Sequence, residues 1–222
     1  MEKNYKHLVS ISSLFVAVLL ISNIASTKIV NFVWFTFDGG TLLFPLSYIF
    51  NDILTEVYGY NKARQVIWLG FLSALAMSLV LIIVGKLPPA TGWEFQDAYD
   101  KILGLAPRIV VASLVAYFCG GFTNAFVLAK MKIFTKGSHL WARTIGSTVV
   151  GELVDTVIFV SIAFIGVLPN TLIVALIVSN YVFKTMVEIV LTPITYKVVK
   201  FLKKAEQEDY YDYQTEFNPF KM

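Results

Sequence analysis

Long apolar segments dominate this sequence and restrict the chain to a helical membrane fold. An α-helix needs about 20 predominantly apolar residues to cross the hydrocarbon core of a bilayer, and backbone groups in lipid must be hydrogen-bonded within the protein. The predicted spans are residues 8–30, 41–60, 65–86, 107–130, 143–167 and 171–196. We therefore predict an all-α integral membrane protein with six transmembrane helices in one domain, 1–204, followed by a polar cytoplasmic tail, 205–222.

The composition agrees with a membrane protein. Of the 222 residues, 57% are hydrophobic and only 15% are charged, whereas soluble domains carry about 25% charged residues. The basic residues are not clustered with aromatic residues, so we expect the lipid bilayer and no nucleic acid as a partner. The first apolar run continues without a small-residue cleavage site, which favours a retained span over a signal peptide.

The basic residues segregate between the connections, which predicts the orientation of the spans. Cytoplasmic loops of membrane proteins carry an excess of Lys and Arg. With both termini in the cytoplasm, the outer loops contain only Lys86, Lys101 and Arg108. Thirteen bases then lie inside, namely Lys3, Lys6, Lys62, Arg64, Lys130, Lys132, Lys136, Arg143, Lys197, Lys200, Lys203, Lys204 and Lys221. The opposite orientation would destroy this segregation.

Three further features concern the organisation of the chain. The outer loop 88–107 has apolar residues at helical spacing, which predicts a short surface helix. The acidic, tyrosine-rich tail from Glu206 is expected to be disordered or loosely packed. The second and fifth spans each carry an acidic pair, which leaves open two inverted three-helix repeats.

Five carboxylates lie inside the predicted spans. A charged residue in hydrocarbon costs roughly 3 kcal/mol on insertion scales, so such residues usually serve a function. Within the spans, the bases that could neutralise them are few, mainly Lys184 and Lys28. This imbalance predicts a polar cavity that recognises a small solute. The five acids are Asp52, Glu56, Glu152, Asp155 and Glu188.

In the second span, aromatic and acidic side chains form one stripe. Residues four positions apart lie on the same face of a helix, so Phe44, Tyr48, Asp52 and Glu56 share a face. Such a face offers aromatic surfaces for stacking and carboxylates that accept N–H donors. The alternative is that Asp52 and Glu56 are structural partners of bases on neighbouring helices.

The fifth and sixth spans contribute further polar side chains. Asp155 lies nearest the middle of the fifth span, and Glu152 lies one turn before it. Asn180, Lys184 and Glu188 follow one another at helical spacing in the sixth span. Lys184 could pair with Glu188 along the helix, or with Asp52 or Asp155 across the bundle.

Other chemistry is disfavoured. The two histidines, His7 and His139, lie far apart without a ligand motif, so we expect no metal. The sequence has no phosphate-binding or dinucleotide-binding glycine motif, and Cys119 has no histidine placed for a catalytic pair. We therefore expect no cofactor and no enzymatic activity.

Four segments of the sequence resemble the queuosine-precursor transporter family, also known as the vitamin uptake transporter family. The resemblance lies in SNIASTKIV, FPLSYIFNDILTEVYGYNKARQVIW, ARTIGSTVVGELVDTVIFVSIAFIG and NYVFKTMVEIVLTPITYKVVKFLKK, which are residues 22–30, 44–68, 142–166 and 180–204. The match covers most of the chain in order and spacing. It implies six helices in the inner membrane of a bacterium and uptake of a 7-deazaguanine, such as 7-cyano-7-deazaguanine, its aminomethyl relative or queuine.

The polar residues of the spans suit that solute class. A guanine-like base presents adjacent N–H donors that a carboxylate accepts, a flat ring for stacking, and further polar edges. The candidates for these three roles are Asp52, Glu56 and Asp155; Phe44, Tyr48 and Tyr181; and Asn23, Asn180 and Lys184. Glu188 is a further substrate-binding candidate, and Lys28, Arg143 and Glu152 are candidates for gating or coupling.

The sequence leaves several alternatives open. A solute-binding subunit of an ATPase-driven vitamin importer would have similar length and helix number, and a membrane enzyme using acid pairs is a more distant alternative. The preferred precursor, a homodimer and the energy source also stay open. A carboxylate could couple proton entry to uptake, whereas facilitated diffusion followed by metabolic trapping needs no coupling.

Overall fold

The computed structural model describes residues 5–26, 28–32, 35–103, 107–166 and 170–220. These contain seven α-helices, a short β-hairpin and one 3₁₀ turn. The helices are α1 (Leu8–Ala25), α2 (Phe44–Tyr58), α3 (Tyr60–Gly85), α4 (Gln96–Leu103), α5 (Pro107–Phe134), α6 (Leu140–Phe164) and α7 (Asn170–Glu206). The strands are β1 (Ile29–Phe32) and β2 (Phe35–Asp38), and the 3₁₀ turn is Gly39–Leu42.

Five of these helices, α1, α3, α5, α6 and α7, are long and apolar enough to cross a membrane. The chain is therefore a multi-pass helical membrane protein. The remaining long segment of the prediction corresponds to α2, which has 15 residues and a length of about 22 Å at 1.5 Å per residue. It packs against α1, α3, α5 and α7, and the residues of its second half are all buried.

The first helix is shorter than predicted. The apolar run predicts a first span that extends to residue 30, but α1 ends at Ala25 and the chain turns into an antiparallel hairpin in which Ile29 pairs with Asp38. The amide of Gly39 donates to the carbonyl oxygen of Lys28 at 2.7 Å and closes the base of the hairpin. A Cβ atom on Gly39 would lie only 2.7 Å from the carbonyl oxygen of Ala25. The close return of the chain to the end of α1 therefore requires glycine here.

A single glycine joins α2 to α3. Gly59 has φ +85°, in the region that glycine occupies without steric cost. A Cβ atom there would lie 2.2 Å from the ring of Tyr210. The two helices therefore turn sharply at a residue that also contacts the C-terminal tail.

The predicted surface helix is confirmed as α4. Its side chains are largely exposed, and Asp97 pairs with Lys101 one turn later. The prediction that the C-terminal tail is disordered or loosely packed was wrong, because the tail is packed on the helices. Trp68 Nε1 donates to the carbonyl oxygen of Pro219 at 2.8 Å, and Asp212 accepts from the amide of Tyr60 at 3.1 Å.

Both ends of the described chain meet at one end of the bundle, which we call the terminal end. The amides of Lys6 and His7 donate to the Glu206 carboxylate at 3.0 and 2.6 Å. The α2–α3 corner lies at the same end, since the amide of Tyr210 donates to the carbonyl oxygen of Val57 at 3.3 Å. The α5–α6 connection also lies here, because a Cβ atom on Gly137 would lie 2.1 Å from the Tyr211 hydroxyl.

Candidate functional site

A ladder of four side chains runs along α2 through the interior of the bundle. Phe44, Tyr48, Asp52 and Glu56 lie one turn apart, as the sequence predicted. Phe44 is partly exposed at the N-terminal end of α2, whereas Tyr48, Asp52 and Glu56 are each 1% exposed or less. Glu56 lies toward the terminal end. The ladder therefore passes from an accessible aromatic side chain to a deeply buried carboxylate.

At the Phe44 level, α6 and α7 bring three charged side chains together. Lys184 Nζ lies 2.7 Å from Asp155 Oδ2 and 3.2 Å from Glu152 Oε2. The same ammonium lies 4.5 Å from the centroid of the Phe44 ring, a distance typical of a cation–π contact. Of the partners predicted for Lys184, the structure shows Asp155 and adds Glu152. We call these three charged residues the lysine cluster.

Aromatic side chains surround the lysine cluster. The rings of Tyr48 and Tyr117 lie 6.0 and 6.2 Å from the Phe44 ring, the latter edge-on. The Tyr48 hydroxyl lies 3.4 Å from the carbonyl oxygen of Gly151 on α6. Tyr117 was not predicted as a site residue, because its distance from Phe44 in the sequence gives no sign that α5 faces α2 here.

One turn beyond Tyr48 along α2, the Asp52 carboxylate accepts hydrogen bonds from neutral donors. Asn124 Nδ2 donates to Asp52 Oδ1 at 2.6 Å, and the Ser147 hydroxyl lies 3.5 Å from the same oxygen. Asp52 Oδ2 has no hydrogen-bond partner in the described part of the chain. Glu188 on α7 is 1% exposed, and none of the described residues donates to either of its carboxylate oxygens.

At the terminal end, Glu56 is surrounded by cations. Its Oε1 atom lies 2.6 Å from Arg143, 2.6 Å from Lys203 and 3.6 Å from Lys132. Asp209 of the tail joins the same bases, at 2.5 Å from Lys132 and 2.9 Å from Lys203. We call these five residues the terminal ion cluster.

The terminal ion cluster corrects the expectation that few bases can neutralise the buried acids. Lys132 is 1% exposed and donates to the backbone oxygen of Glu56 at 2.6 Å. By the segregation of basic residues, Lys132, Lys203 and Arg143 are expected in cytoplasmic segments, with Arg143 at the end of the fifth span. Their long side chains instead reach into the bundle from its end. Lys28, in contrast, is exposed beyond the end of α1.

The remaining predicted residues lie around the ladder. Asn23 is partly buried; its Nδ2 donates to the carbonyl oxygen of Leu19 and its Oδ1 accepts from Ser113 at 3.2 Å. The Tyr181 hydroxyl donates to the carbonyl oxygen of Val149 at 3.2 Å, which links this side chain to α6. Asn180 is half-buried on α7. No group of three or more His, Cys, Asp or Glu residues that could hold a metal ion occurs within the described residues.

Comparison with known proteins assigns the chain to a family. The model of the family described as "Putative vitamin uptake transporter" matches residues 38–198. This range contains the whole ladder, the lysine cluster, Glu188 and Arg143. The chain belongs to this family of membrane transporters.

The similar curated proteins have related names. The chain is 30% identical over 187 residues, 84% of its length and 82% of the relative's, to a Bacillus subtilis protein named "Probable queuosine precursor transporter". It is 26% identical over 162 residues, 73% of its length and 71% of the relative's, to the Escherichia coli "Queuosine precursor transporter". A Haemophilus influenzae relative named "Probable queuosine precursor transporter" is 28% identical over 56% of this chain and 51% of its own length. No solved structure matches the chain significantly.

Proposed function

We propose that the protein imports queuosine precursors of the 7-deazaguanine class across the bacterial cell membrane. The candidate solutes are 7-cyano-7-deazaguanine, 7-aminomethyl-7-deazaguanine and queuine. The names of the relatives support this solute class, and the lysine cluster beside the Phe44 ring carries the structural argument. It combines acceptors, a donor and an aromatic face within one buried region.

The lysine cluster suits the chemistry of a guanine-like base. The ring N–H and the exocyclic amine of such a base are adjacent donors, and carboxylates accept from them in charge-assisted hydrogen bonds. Asp155 and Glu152 are the acceptors nearest to Phe44, and Lys184 offers a donor to the carbonyl edge of the ring. The Phe44 ring provides the stacking surface. Asp52, one turn deeper than Tyr48, is a second acceptor for a solute that has moved along the ladder.

Access to the ladder differs between its ends. Asn23, Phe44 and Asn180 are partly exposed at one end, whereas Glu56 and Arg143 are fully buried at the other. We propose that the solute enters at the Phe44 end, on the outer side of the membrane. The terminal ion cluster then forms the cytoplasmic gate, and its ion pairs must separate before the solute is released.

The first experiment is uptake by purified protein in liposomes that contain no partner module. We expect uptake of a labelled 7-deazaguanine, with competition by the related precursors and none by riboflavin or biotin. Uptake that requires a co-purifying ATPase module would instead support the solute-binding subunit of an ATP-driven importer. A thermal-shift panel gives an independent measure of binding, because a ligand that binds the folded state raises its stability with ligand concentration.

Asp155→Asn tests the recognition site. The amide preserves the shape of the side chain but replaces one acceptor oxygen by a donor. Losing a hydrogen bond to a charged group costs about 1.5–3 kcal/mol, so affinity should fall roughly 10- to 100-fold. Asp97→Asn, in the exposed helix α4, is the control and should bind as the wild type does. Wild-type affinity in Asp155→Asn would place the recognition site elsewhere.

A further inference from the structure

The interior of the bundle holds more acids than bases once the terminal ion cluster is set aside. Asp52, Glu152, Asp155 and Glu188 are each 2% exposed or less, and Lys184 is the base that contacts this group within the described structure. A group of four ionised carboxylates around one ammonium would carry a net charge of −3. An uncompensated charge in a low-dielectric interior is far more costly than a neutral group. The group must therefore hold further positive charge.

Among these four acids, Glu188 has the fewest partners that could compensate a negative charge. Asp155 and Glu152 share the ammonium of Lys184, and Asp52 accepts from Asn124. Both oxygens of Glu188 are buried without a donor from any described residue.

The charged groups around Glu188 are mostly acids. On α2, the ionisable neighbour is Asp52. Glu56 lies one turn farther along α2 and pairs with Arg143 and Lys203. From α6 the neighbour is Glu152. Lys184, which pairs with Glu152 and Asp155, lies one turn away on α7 itself. Glu188 repels both Asp52 and Glu152 electrostatically. The surroundings of Glu188 therefore favour a neutral, protonated side chain.

A second observation comes from neutral groups on α6. Thr148 and Thr156 lie one turn before and one turn after Glu152, and both are 1% exposed. Their hydroxyl oxygens have no hydrogen-bond partner in the described ranges, and neither does Glu152 Oε1. The stripe of α6 that carries Glu152 thus holds buried donors and acceptors that the fold itself does not use. These hydroxyl groups are therefore available to hydrogen-bond a proton-bearing group or a solute beside Glu152.

We propose that Glu188 binds a proton that crosses the membrane together with the solute. The inference rests on the proposed uptake of a 7-deazaguanine and adds its energy source. A proton from the outer solution forms an O–H bond with the Glu188 carboxylate and is released to the cytoplasm after the solute leaves. Protonated Glu188 no longer repels the charge on Glu152. Glu152 then stays ionised and accepts an N–H of the solute, so the proton and the solute bind cooperatively.

The test uses wild-type protein in liposomes with a pH gradient, acidic outside. If one proton accompanies each neutral solute, one pH unit should drive about tenfold accumulation, and a protonophore should abolish it. A pH-sensitive dye inside the liposomes should report acidification on addition of the solute. Equilibration to equal concentrations without proton entry would overturn the inference while leaving the proposed uptake intact. Accumulation driven by a sodium gradient instead would also overturn it. Absence of any uptake would refute the proposed function itself.

Glu188→Gln tests whether Glu188 is the residue that binds the proton, because an amide does not take up a proton between pH 8 and 6. In the wild type, solute affinity should rise as pH falls from 8 to 6, and in the variant it should not change with pH. Accumulation should fall from about tenfold per pH unit to equality. Glu94→Gln, in the exposed outer loop, is the control and should retain both pH effects. A variant that keeps wild-type pH dependence would remove Glu188 from the coupling site, and the dye measurement on the wild type decides the mechanism if the variant does not fold.

Discussion

Gly120 lies at a close approach of α5 to α6 beside the candidate site. A Cβ atom on this residue would lie 2.4 Å from the Tyr48 hydroxyl and 2.7 Å from Asp155 Cβ. No real Cβ atom fits at these distances, so the side chains of the ladder and of the lysine cluster would have to move. The glycine therefore determines where two of the proposed solute-binding side chains lie.

Gly120→Ala should impair both folding and binding. Overpacking of a buried contact costs about 1–3 kcal/mol, and displacement of Asp155 should weaken solute affinity as well. Gly121→Ala is a matched control on the same helix, because its Cβ would lie 3.8 Å from Tyr117 and 3.9 Å from Ile67, in ordinary contact. Thermal unfolding in detergent, with and without a 7-deazaguanine, measures both effects. Equal stability and affinity in the two variants would show that the crossing tolerates a methyl group.

Glu56 and Asp52 show that two buried acids on one helix face can have different partners. The sequence predicted Glu56 to share a face with Asp52, and the structure agrees, yet their surroundings differ completely. Three cations reach Oε1 of Glu56, whereas the donors to Asp52 among the described residues are neutral. Ion pairs of this kind are often retained for a specific arrangement rather than for net stability. A gate that must separate and re-form is consistent with such an arrangement.

At the scale of elements, the C-terminal tail connects several helices at the terminal end. Asp209 contacts Lys132 of α5 and Lys203 of α7. Partial burial acts to raise the pKa of Asp209, but the hydrogen bonds from these two lysines outweigh burial and hold the pKa below its ordinary value. The ionised carboxylate therefore favours the docked tail. This contribution is fully present above the unfolded pKa, about 3.9, and is lost as the pH falls through the lower folded pKa.

Asp209→Asn should loosen the tail at neutral pH. The amide removes the negative charge that Lys132 and Lys203 share, so backbone amides over 207–220 should exchange with deuterium faster than in the wild type. The effect should be modest, because the carboxylate is partly exposed and solvent screens its charge. In the wild type, the same loosening should appear only below about pH 4. Asp97→Asn is again the control, and unchanged tail protection in Asp209→Asn would contradict this role of the carboxylate.

The sequence predicted the long helices well and their contacts poorly. Hydropathy identifies α3, α5 and α6 within a few residues because each helix must be apolar over its own length. The hairpin after α1 was missed, because β-branched residues at the end of an apolar run continue the hydropathy signal. The tail was judged by its polar composition, although Phe217 and Phe220 dock onto aromatic rings of α3 and α5. Which helices face one another is not encoded in the periodicity of any one helix. The pairing of Lys132 with Glu56 therefore required the structure.

For the whole molecule, the central question is how often the chain crosses the membrane. Within the described residues, five helices are long and apolar enough to cross a membrane, and α2 is short. The N-terminus, the α2–α3 corner, the α5–α6 connection and the tail nevertheless share the terminal end. The chain therefore also runs along the bundle through α2, and we propose that α2 together with the preceding 3₁₀ turn supplies a sixth crossing. A short crossing segment is tolerated where other helices, rather than lipid, surround it.

Cysteine labelling tests the resulting orientation, with both termini in the cytoplasm. On a background in which Cys119 is replaced by serine, one cysteine is introduced at Asp97 and another at Lys136. Both positions are exposed, whereas Gly137 is unsuitable because a side chain there would strike Tyr211. The excess of Lys and Arg at the terminal end predicts that this end lies in the cytoplasm. An impermeant maleimide added to intact cells should label position 97, and position 136 should react only after permeabilisation. Labelling of both positions in intact cells would mean that α5, the helix between them, does not cross the membrane, and labelling of position 136 alone would place the terminal end outside the cell.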